Sequence, residues 1–413
     1  MAALARSSSC IAGELPIRRR DWLTMVGAAA AYASTSPAFA LAKLYGRLAT
    51  CDYGSGKTVL PGLWNMHMHL FADFGPRLLA EGVTTIRDPR NSPDYIAKTK
   101  AQYESGELLG PRAIIAGLMD GTGRYTAPIG TTTSTVTEAI AQGRDWKKLG
   151  AVQIKIYSSM DPKLVPTIVK EAHSLGMRVS GHIRAGTLAQ DAVHEGFDEI
   201  QHVNFLFLNF MPDTKDRTQT PIRLTATAKR AGTVDLQSQS VKDFIAMLKA
   251  KDIVSDPTVG IFYTETLTRS GDMASTGFAE IADWLPAQVT RGLTTIGLPL
   301  GPGLDAKYRA SAKAYLEMIA LLHSNGVRIV AGTDDVLPGF DLVHELELYA
   351  QAGIPPAQVL QAATIVPARV MHMDDSLWAR CAPARSLTRS SYKGIRSRAY
   401  RIFARSARPS KAA

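Results

Sequence analysis

Cysteine is scarce in this 413-residue chain: its three thiols, Cys10, Cys51 and Cys381, stand far apart and form no C-x-x-C pair. Neither a disulfide framework nor a cysteine-based zinc finger is expected. Acidic residues are missing from the C-terminal stretch. From Ser376 to Ala413 there are ten Lys or Arg and no Asp or Glu, so the formal charge of +10 belongs to this tail and the 375 residues before it sum to zero. A body without net charge argues against a nucleic-acid partner. Long apolar runs are also absent. Residues 22–40 carry no charge, but Ser34, Thr35, Ser36 and Pro37 interrupt them. That leaves too short a run to span a bilayer, and no later segment reaches the length, so no stable membrane anchor is expected. Two motifs are incomplete. Gly54-Ser55-Gly56-Lys57-Thr58 has Cys51 where a phosphate-binding loop needs its first Gly. His344-Glu345 lacks the second His of a zinc-protease helix.

The length allows a large core and one barrel-sized domain with appendages. At the N-terminus, Arg18-Arg19-Arg20 precedes Asp21-Trp22-Leu23, an alanine-rich stretch and Pro37-Ala38-Phe39-Ala40. A basic start, an apolar centre and an A-x-A site make residues 1–40 a secretory signal, and the R-R-x-aromatic-Leu order resembles a twin-arginine one. The product would then be periplasmic or secreted. The alternative is a short disordered or helical N-terminus.

Beyond this, strands and helices alternate. Apolar, β-branched runs occur at 59–70, 83–87, 112–116, 152–157, 177–181, 198–203, 252–259 and 327–333. Helical spacing fills 93–106, 135–149, 162–175, 187–194, 241–250 and 305–324, with two more helices expected at 341–352 and 355–371. Gly176, Gly196 and Gly326 stand where helices stop before the next strand. Alternation of this kind implies parallel pairing with right-handed crossovers. Eight units suggest an α/β fold of the (β/α)8 TIM-barrel type, which needs about 250 residues, over 59–371. The stretches 205–240 and 260–304 are expected to be long loops over the mouth, serving as a lid or substrate loop.

Catalytic groups of such barrels sit at the C-terminal ends of strands. His67 and His69 share one face of the first strand because side chains alternate with a period of two. Lys155 lies on the fourth strand, His182 just after the fifth, His202 on the sixth and Asp334 just after the eighth. Lys155 stands between two isoleucines in VQIKIY. An ammonium there is costly unless it is paired to a carboxylate or chemically altered. Carbon dioxide would convert it to an anionic carbamate able to bridge two divalent cations. Asp334 is either a metal ligand and proton acceptor or a helix-capping or loop carboxylate. Tyr157, two residues after Lys155, is placed to hydrogen-bond a substrate oxygen or to pack structurally, and His344 is a weaker candidate for substrate contact. His173, His194 and His323 lie on helices away from the strand ends and are read as surface or packing residues.

Several stretches together resemble the amidohydrolase superfamily: LPGLWNMHMHL, EGVTTIRD, QIKIYSSMDPKLVPTIVKEAHSLGMRVSGHI, DEIQHV and AGTDDVLPGFDLVHELELYAQAGIPPAQVLQAAT. Within it the chain is similar to imidazolonepropionase-related or Xaa-Pro-dipeptidase-like metal-dependent hydrolases. The resemblance implies His67 and His69 on one metal ion, Lys155 bridging as a carbamate, His182 and His202 on a second ion, and Asp334 as general base. Two zinc ions are the first choice for imidazole and oxygen ligands. Two cations about 3.5–4 Å apart would activate a hydroxide against an amide, peptide or cyclic amide C–N bond of a small-molecule or dipeptide-like substrate. Asp334 would take the proton and return it to the leaving amine. An oligomer is compatible with the sequence. Asn65 stands where such sequences usually read Asp, and its effect on the two histidines is open.

The flanks depart from the family. Its members usually carry a small β-sandwich built from both sides of the barrel, here truncated or missing. Residues 41–58 would be a remnant of its N-terminal part, and 372–413 is a basic, Arg- and Ser-rich tail suggesting a shifted reading frame near residue 375. Two other functions stay open on that ground: an inactive truncated relative, and a binding protein that uses the tail.

Overall fold

The structure is a computed structural model that describes residues 60–374 and the two-residue strand Arg389–Ser390, which pairs antiparallel with Leu60–Pro61. The expected signal at 1–40, the segment 41–58 up to Thr58, and almost all of the tail from 375 lie outside the described residues.

Eight strands of a nine-stranded parallel sheet follow one another, β1 (Leu63–Asn65), β2 (Val83–Asp88), β3 (Arg112–Asp120), β4 (Gln153–Ile156), β5 (Arg178–Gly181), β6 (Glu199–Gln201), β7 (Val254–Asp256) and β8 (Arg328–Ile329), and the ninth, the two-residue strand Thr131–Thr132, pairs with the end of β3 off this path. Each of the eight pairs with the next in the order of the chain, which is the pattern of the expected α/β barrel. The ladder is not closed between β8 and β1. Single bonds cross that seam instead: Met66 N donates to Ala331 O at 2.8 Å and Asp334 N to His67 O at 2.9 Å.

The connecting helices are α1 (Gly75–Ala80), α2 (Pro93–Ser105), α3 (Val136–Lys148), α4 (Val165–Ser174), α5 (Ala189–His194), α6 (Val203–Leu208), α7 (Ile222–Arg230), α8 (Gln239–Ala250), α9 (Val259–Leu267), α10 (Ala287–Leu293), α11 (Leu304–Ser324), α12 (Asp341–Gln351), α13 (Pro356–Ala362) and α14 (Ile365–Val370). Local chemistry sets their ends. Thr135 caps α3 in a reciprocal box with Glu138. Gly176 and Gly326 carry φ of 67° and 78° just past α4 and α11, a left-handed conformation that costs glycine nothing.

Three expectations need correction. The stretch 205–240 is not a loop: α6, α7 and two short 3-10 turns fill most of it, and Phe205, Leu206, Phe207 and Leu208 are buried. Its FLFLNF run pays for burial by forming helix, and α7 packs on α11. Likewise 260–304 holds α9 and α10 with further 3-10 turns. The helix expected at 355–371 is broken at Ala363–Thr364. Ala362 O accepts from Ala331 N at 3.0 Å and Ala363 O from Trp64 N at 2.8 Å, so these carbonyls turn towards β8 and β1 instead of continuing the helix. Beyond the break, Ala368 and Val370 of α14 join an apolar cluster with Trp64, Met66, Ile114, Val254 and Val330.

Candidate metal centre

His67 and His69 lie just past β1, which ends at Asn65 and not at the expected residue 70, and Met66 and Met68, both fully buried, join two different apolar clusters. Asn65 holds this end in register. Its Oδ1 accepts the His67 backbone N–H at 3.1 Å and its Nδ2 donates to Thr333 Oγ1 at 2.9 Å. The amide thus ties β1 to the segment after β8.

Six of the residues singled out in the sequence converge at the C-terminal ends of the strands. Lys155 Nζ donates to His67 Nε2 at 3.0 Å. His182 Nε2 and His202 Nε2 lie 2.9 Å apart. Asp334 Oδ1 is 2.6 Å from His69 Nε2 and 3.6 Å from His67 Nε2, and Oδ2 is 3.8 Å from His202 Nδ1. Ligand atoms of His67, His202 and Asp334 all fall within 4.8 Å of one another. Tyr157 lays its ring against His182, centroids 3.9 Å apart.

The far nitrogens of three rings are tethered. His67 Nδ1 donates to Asp256 Oδ2 at 2.8 Å, His182 Nδ1 meets Ser158 Oγ at 2.8 Å and His202 Nδ1 meets Thr258 Oγ1 at 2.8 Å. Such partners fix ring orientation and leave Nε2 to face the centre, the arrangement found around metal-ligating histidines. With both Nδ1 atoms protonated, His182 and His202 present two lone pairs to each other. A cation facing both, or a single proton between them, resolves the contact. The donor set therefore fits a divalent cation.

Burial dominates the electrostatics. It pulls the His67 and His182 imidazoles well below their ordinary pKa and His202 down to about 3, so all three are neutral at pH 7. Burial also brings the Lys155 ammonium down to about 8, against the pull of Asp334 and Asp256. Lys155 forms no ion pair among the described residues. For Asp334 burial acts upward, but the His69 hydrogen bond and the neighbouring positive groups hold it below the usual carboxylate range.

The backbone is strained here. His202, Thr258, Asp334 and Asp335 have φ of 69°, 41°, 57° and 62°, a region that non-glycine residues rarely occupy and that clusters at functional sites. Gly332 lets the segment after β8 pass close to the site: a Cβ there would lie 2.2 Å from Asp256 Oδ1 and 2.6 Å from His67 Cβ.

Sequence reasoning missed the support beneath the histidines. Arg87, fully buried, donates to both Glu199 oxygens at 2.7 Å, to Asp256 Oδ2 at 3.0 Å, to Gln153 Oε1 at 2.9 Å and to Met66 O at 2.7 Å. The signal was the one used for Lys155: a charged residue inside an apolar strand, as in VTTIRD and DIVSDPTV. His344 is placed elsewhere. Its ring packs on Phe278 with centroids 4.9 Å apart, and it lines a cavity of about 460 Å³ with Tyr263, Arg269 and Arg309. None of the six converging residues lines that cavity. His173 sits on the outside, its Nε2 3.0 Å from Asp198 Oδ2.

Among solved structures the chain is similar to a Xaa-Pro dipeptidase with methionine bound in its active site, at 19% identity and a TM-score of 0.57, covering 82% of this chain and 81% of that one. It is also similar to the bottromycin amidohydrolase, at 20% identity and a TM-score of 0.59, covering 77% and 68%. A prolidase complexed with N-methylphosphonate-L-proline matches at 19% identity and a TM-score of 0.52, covering 80% and 78%. At these identities the likeness carries the fold alone. No curated protein matches the sequence significantly. The sequence pattern of the amidohydrolase family matches residues 58–377, well over half of the chain, and the chain accordingly belongs to the amidohydrolase family of hydrolases.

Proposed function

We propose that this protein is a metal-dependent hydrolase that cleaves an amide, peptide or cyclic amide C–N bond in a small-molecule or dipeptide-like substrate. The observation that carries the reading is the tethering of three imidazoles by their Nδ1 atoms, which leaves His67 Nε2 beside Lys155 Nζ and the Nε2 atoms of His182 and His202 facing each other. His67 and His69 would hold one divalent cation, His182 and His202 a second, with zinc as the first choice. Lys155 would lie between them as a carbamate. A fully buried amine with no carboxylate partner, brought down to about 8, is available in neutral form to add carbon dioxide, forming the N–C bond and releasing one proton. When bound, the cations supply a Lewis acid for the scissile carbonyl and lower the pKa of water towards neutrality.

The chain's own residues do the rest. Asp334, ionised and bonded to His69, accepts a proton from the attacking water and delivers it to the departing nitrogen. Asp256 keeps His67 in the tautomer that leaves Nε2 open. Tyr157, stacked on His182, presents its hydroxyl to a substrate oxygen. The reading also includes export through the twin-arginine signal to the periplasm or beyond.

The test is hydrolysis of dipeptides, N-acyl amino acids and lactams by protein loaded with zinc, manganese or cobalt, before and after chelation. Turnover that disappears on chelation and returns on adding metal supports the reading. Metal-independent turnover, or none across the panel with metal bound, counts against it.

A further inference from the structure

Glu345, the second half of the incomplete zinc-protease pair, is fully buried and has no role in the chemistry of the centre. It lies on α12 one turn before Tyr349, on the same face. The Tyr349 hydroxyl donates to Val330 O at 2.9 Å and so fastens that face to the segment after β8. Glu345 Oε1 accepts the Val259 backbone N–H at 2.9 Å and Oε2 accepts that of Gly260 at 2.6 Å. These are the first two amides of α9, donors that no carbonyl within the helix can satisfy. Gly260 lets the carboxylate come this close: a Cβ there would stand 3.0 Å from Oε2.

A helix that begins at threonine ordinarily caps itself, the hydroxyl oxygen taking an amide of the first turn. Thr258 stands at the N-cap of α9 and makes no such bond. Its Oγ1 lies 2.8 Å from His202 Nδ1 instead. Thr258 is also held at φ 41° and ψ 45°, a strain that persists only where the surroundings impose it. The segment leading into it runs beside the end of β6: Asp256 O accepts from His202 N and Pro257 O from Val203 N, both at 2.8 Å. Asp256 Oδ2 accepts from His67 Nδ1. Two of the three tethered imidazoles therefore hang on residues 256–258, and the far end of that segment is the first turn of α9.

We propose that Glu345 is a positioning residue for the metal centre: it caps α9 in place of Thr258, which frees the threonine hydroxyl to orient His202. This rests on the metal-dependent reading and adds to it a residue outside the ligand set, one that acts only through Thr258. Without the Glu345 carboxylate, the amides at the start of α9 compete for the Thr258 oxygen. His202 then loses the partner that turns its Nε2 towards His182, as ligating imidazoles do when the group behind them is removed.

The test compares the full-length wild type with Glu345→Met, which keeps the bulk but neither acceptor, with Glu345→Gln, which keeps one, with Thr258→Val, and with Glu345→Met combined with Thr258→Val. Each is checked for its fold by circular dichroism, and if Glu345→Met does not fold, Glu345→Gln carries the same comparison. All are assayed at about pH 9, above the value of about 8 to which burial pushes the Glu345 carboxyl. In metal-free protein with isotope-labelled histidine, the nuclear magnetic resonance signals of the His202 ring should move in both Glu345 variants as they do in Thr258→Val, less for Gln than for Met. The double variant should match Thr258→Val. Zinc affinity, read by competition with a chelating dye, should drop about 10- to 100-fold in Glu345→Met and in Thr258→Val, and no further in the double variant. Folded Glu345 variants that keep the wild-type His202 signals, or zinc losses that multiply in the double variant, overturn the proposal, since Glu345 would then stabilise the helix without orienting the ring. If the wild type binds no zinc, the metal-dependent reading fails and the ring signals alone decide. A shift shared with Thr258→Val upholds the role of Glu345, and an unmoved ring overturns it.

Discussion

Replacing Glu199 by Gln tests the buried network under the site. Glu199 and Arg87 are both fully buried and meet through two 2.7 Å hydrogen bonds. At an effective dielectric of about 20, unit charges at that separation attract by about 6 kcal/mol. Much of this offsets the cost of bringing both ions out of water. Gln keeps the volume but removes the charge, and turns an amide N–H₂ towards a guanidinium that can only donate. Breaking such a pair costs about 3–5 kcal/mol. Asp256 Oδ2 at 3.0 Å and Gln153 Oε1 at 2.9 Å still receive Arg87, so a loss of about 3 kcal/mol is expected. Against a typical total of about 5–15 kcal/mol, that is a large share. The assay is urea unfolding at pH 7 in chelator, where the midpoint should fall while the slope stays constant. A loss below about 1 kcal/mol would refute the reasoning that Arg87 depends on this carboxylate.

Two further predictions concern the imidazoles. Burial puts His202 at about 3 in the folded chain, against about 6.5 when unfolded. Below pH 6.5 the unfolded form therefore binds the extra proton, and the stability that neutral His202 allows is lost as pH falls. In chelator, lowering the pH from 6.5 to 5.5 should cost the wild type about 1 kcal/mol more than His202→Gln, and equal slopes would contradict the assignment. Asp256→Asn leaves an acceptor for His67 Nδ1 but removes the negative charge that makes the ring a better ligand. Zinc affinity, measured by competition with a chelating dye, should drop about 10- to 100-fold, and an unchanged affinity would remove Asp256 from the account.

The barrel was readable because its eight strands are apolar and β-branched and its helices stop at glycines such as Gly176 and Gly326. Periodicity reports which residues are buried on one element, and that is enough to place Lys155 and the histidines near strand ends. It does not report which backbone groups another element will claim. The break at Ala363–Thr364 exists because β1 and β8 need the carbonyls of Ala362 and Ala363, a demand arising 30 to 300 residues away. The stretch 205–240 read as a loop because its polar centre hides the short helices that α11 holds in place. His344 looked close to the mouth because it follows Asp334 by ten residues, yet α12 turns its ring onto Phe278. The roles of Arg87, Glu199 and Asp256 depend on β2 facing β6 and β7 across the barrel, which no local pattern encodes.

The central claim is that these side chains hold metal through Lys155. The most direct measurement is the metal content of purified protein by plasma mass spectrometry, for the wild type and for Lys155→Ala, each after growth with zinc and removal of loose ions. The account predicts about two equivalents in the wild type, with a clear loss of metal and of hydrolysis in Lys155→Ala. Folded, soluble wild-type protein that carries no metal and takes up none, or Lys155→Ala protein that keeps the full complement, would contradict it.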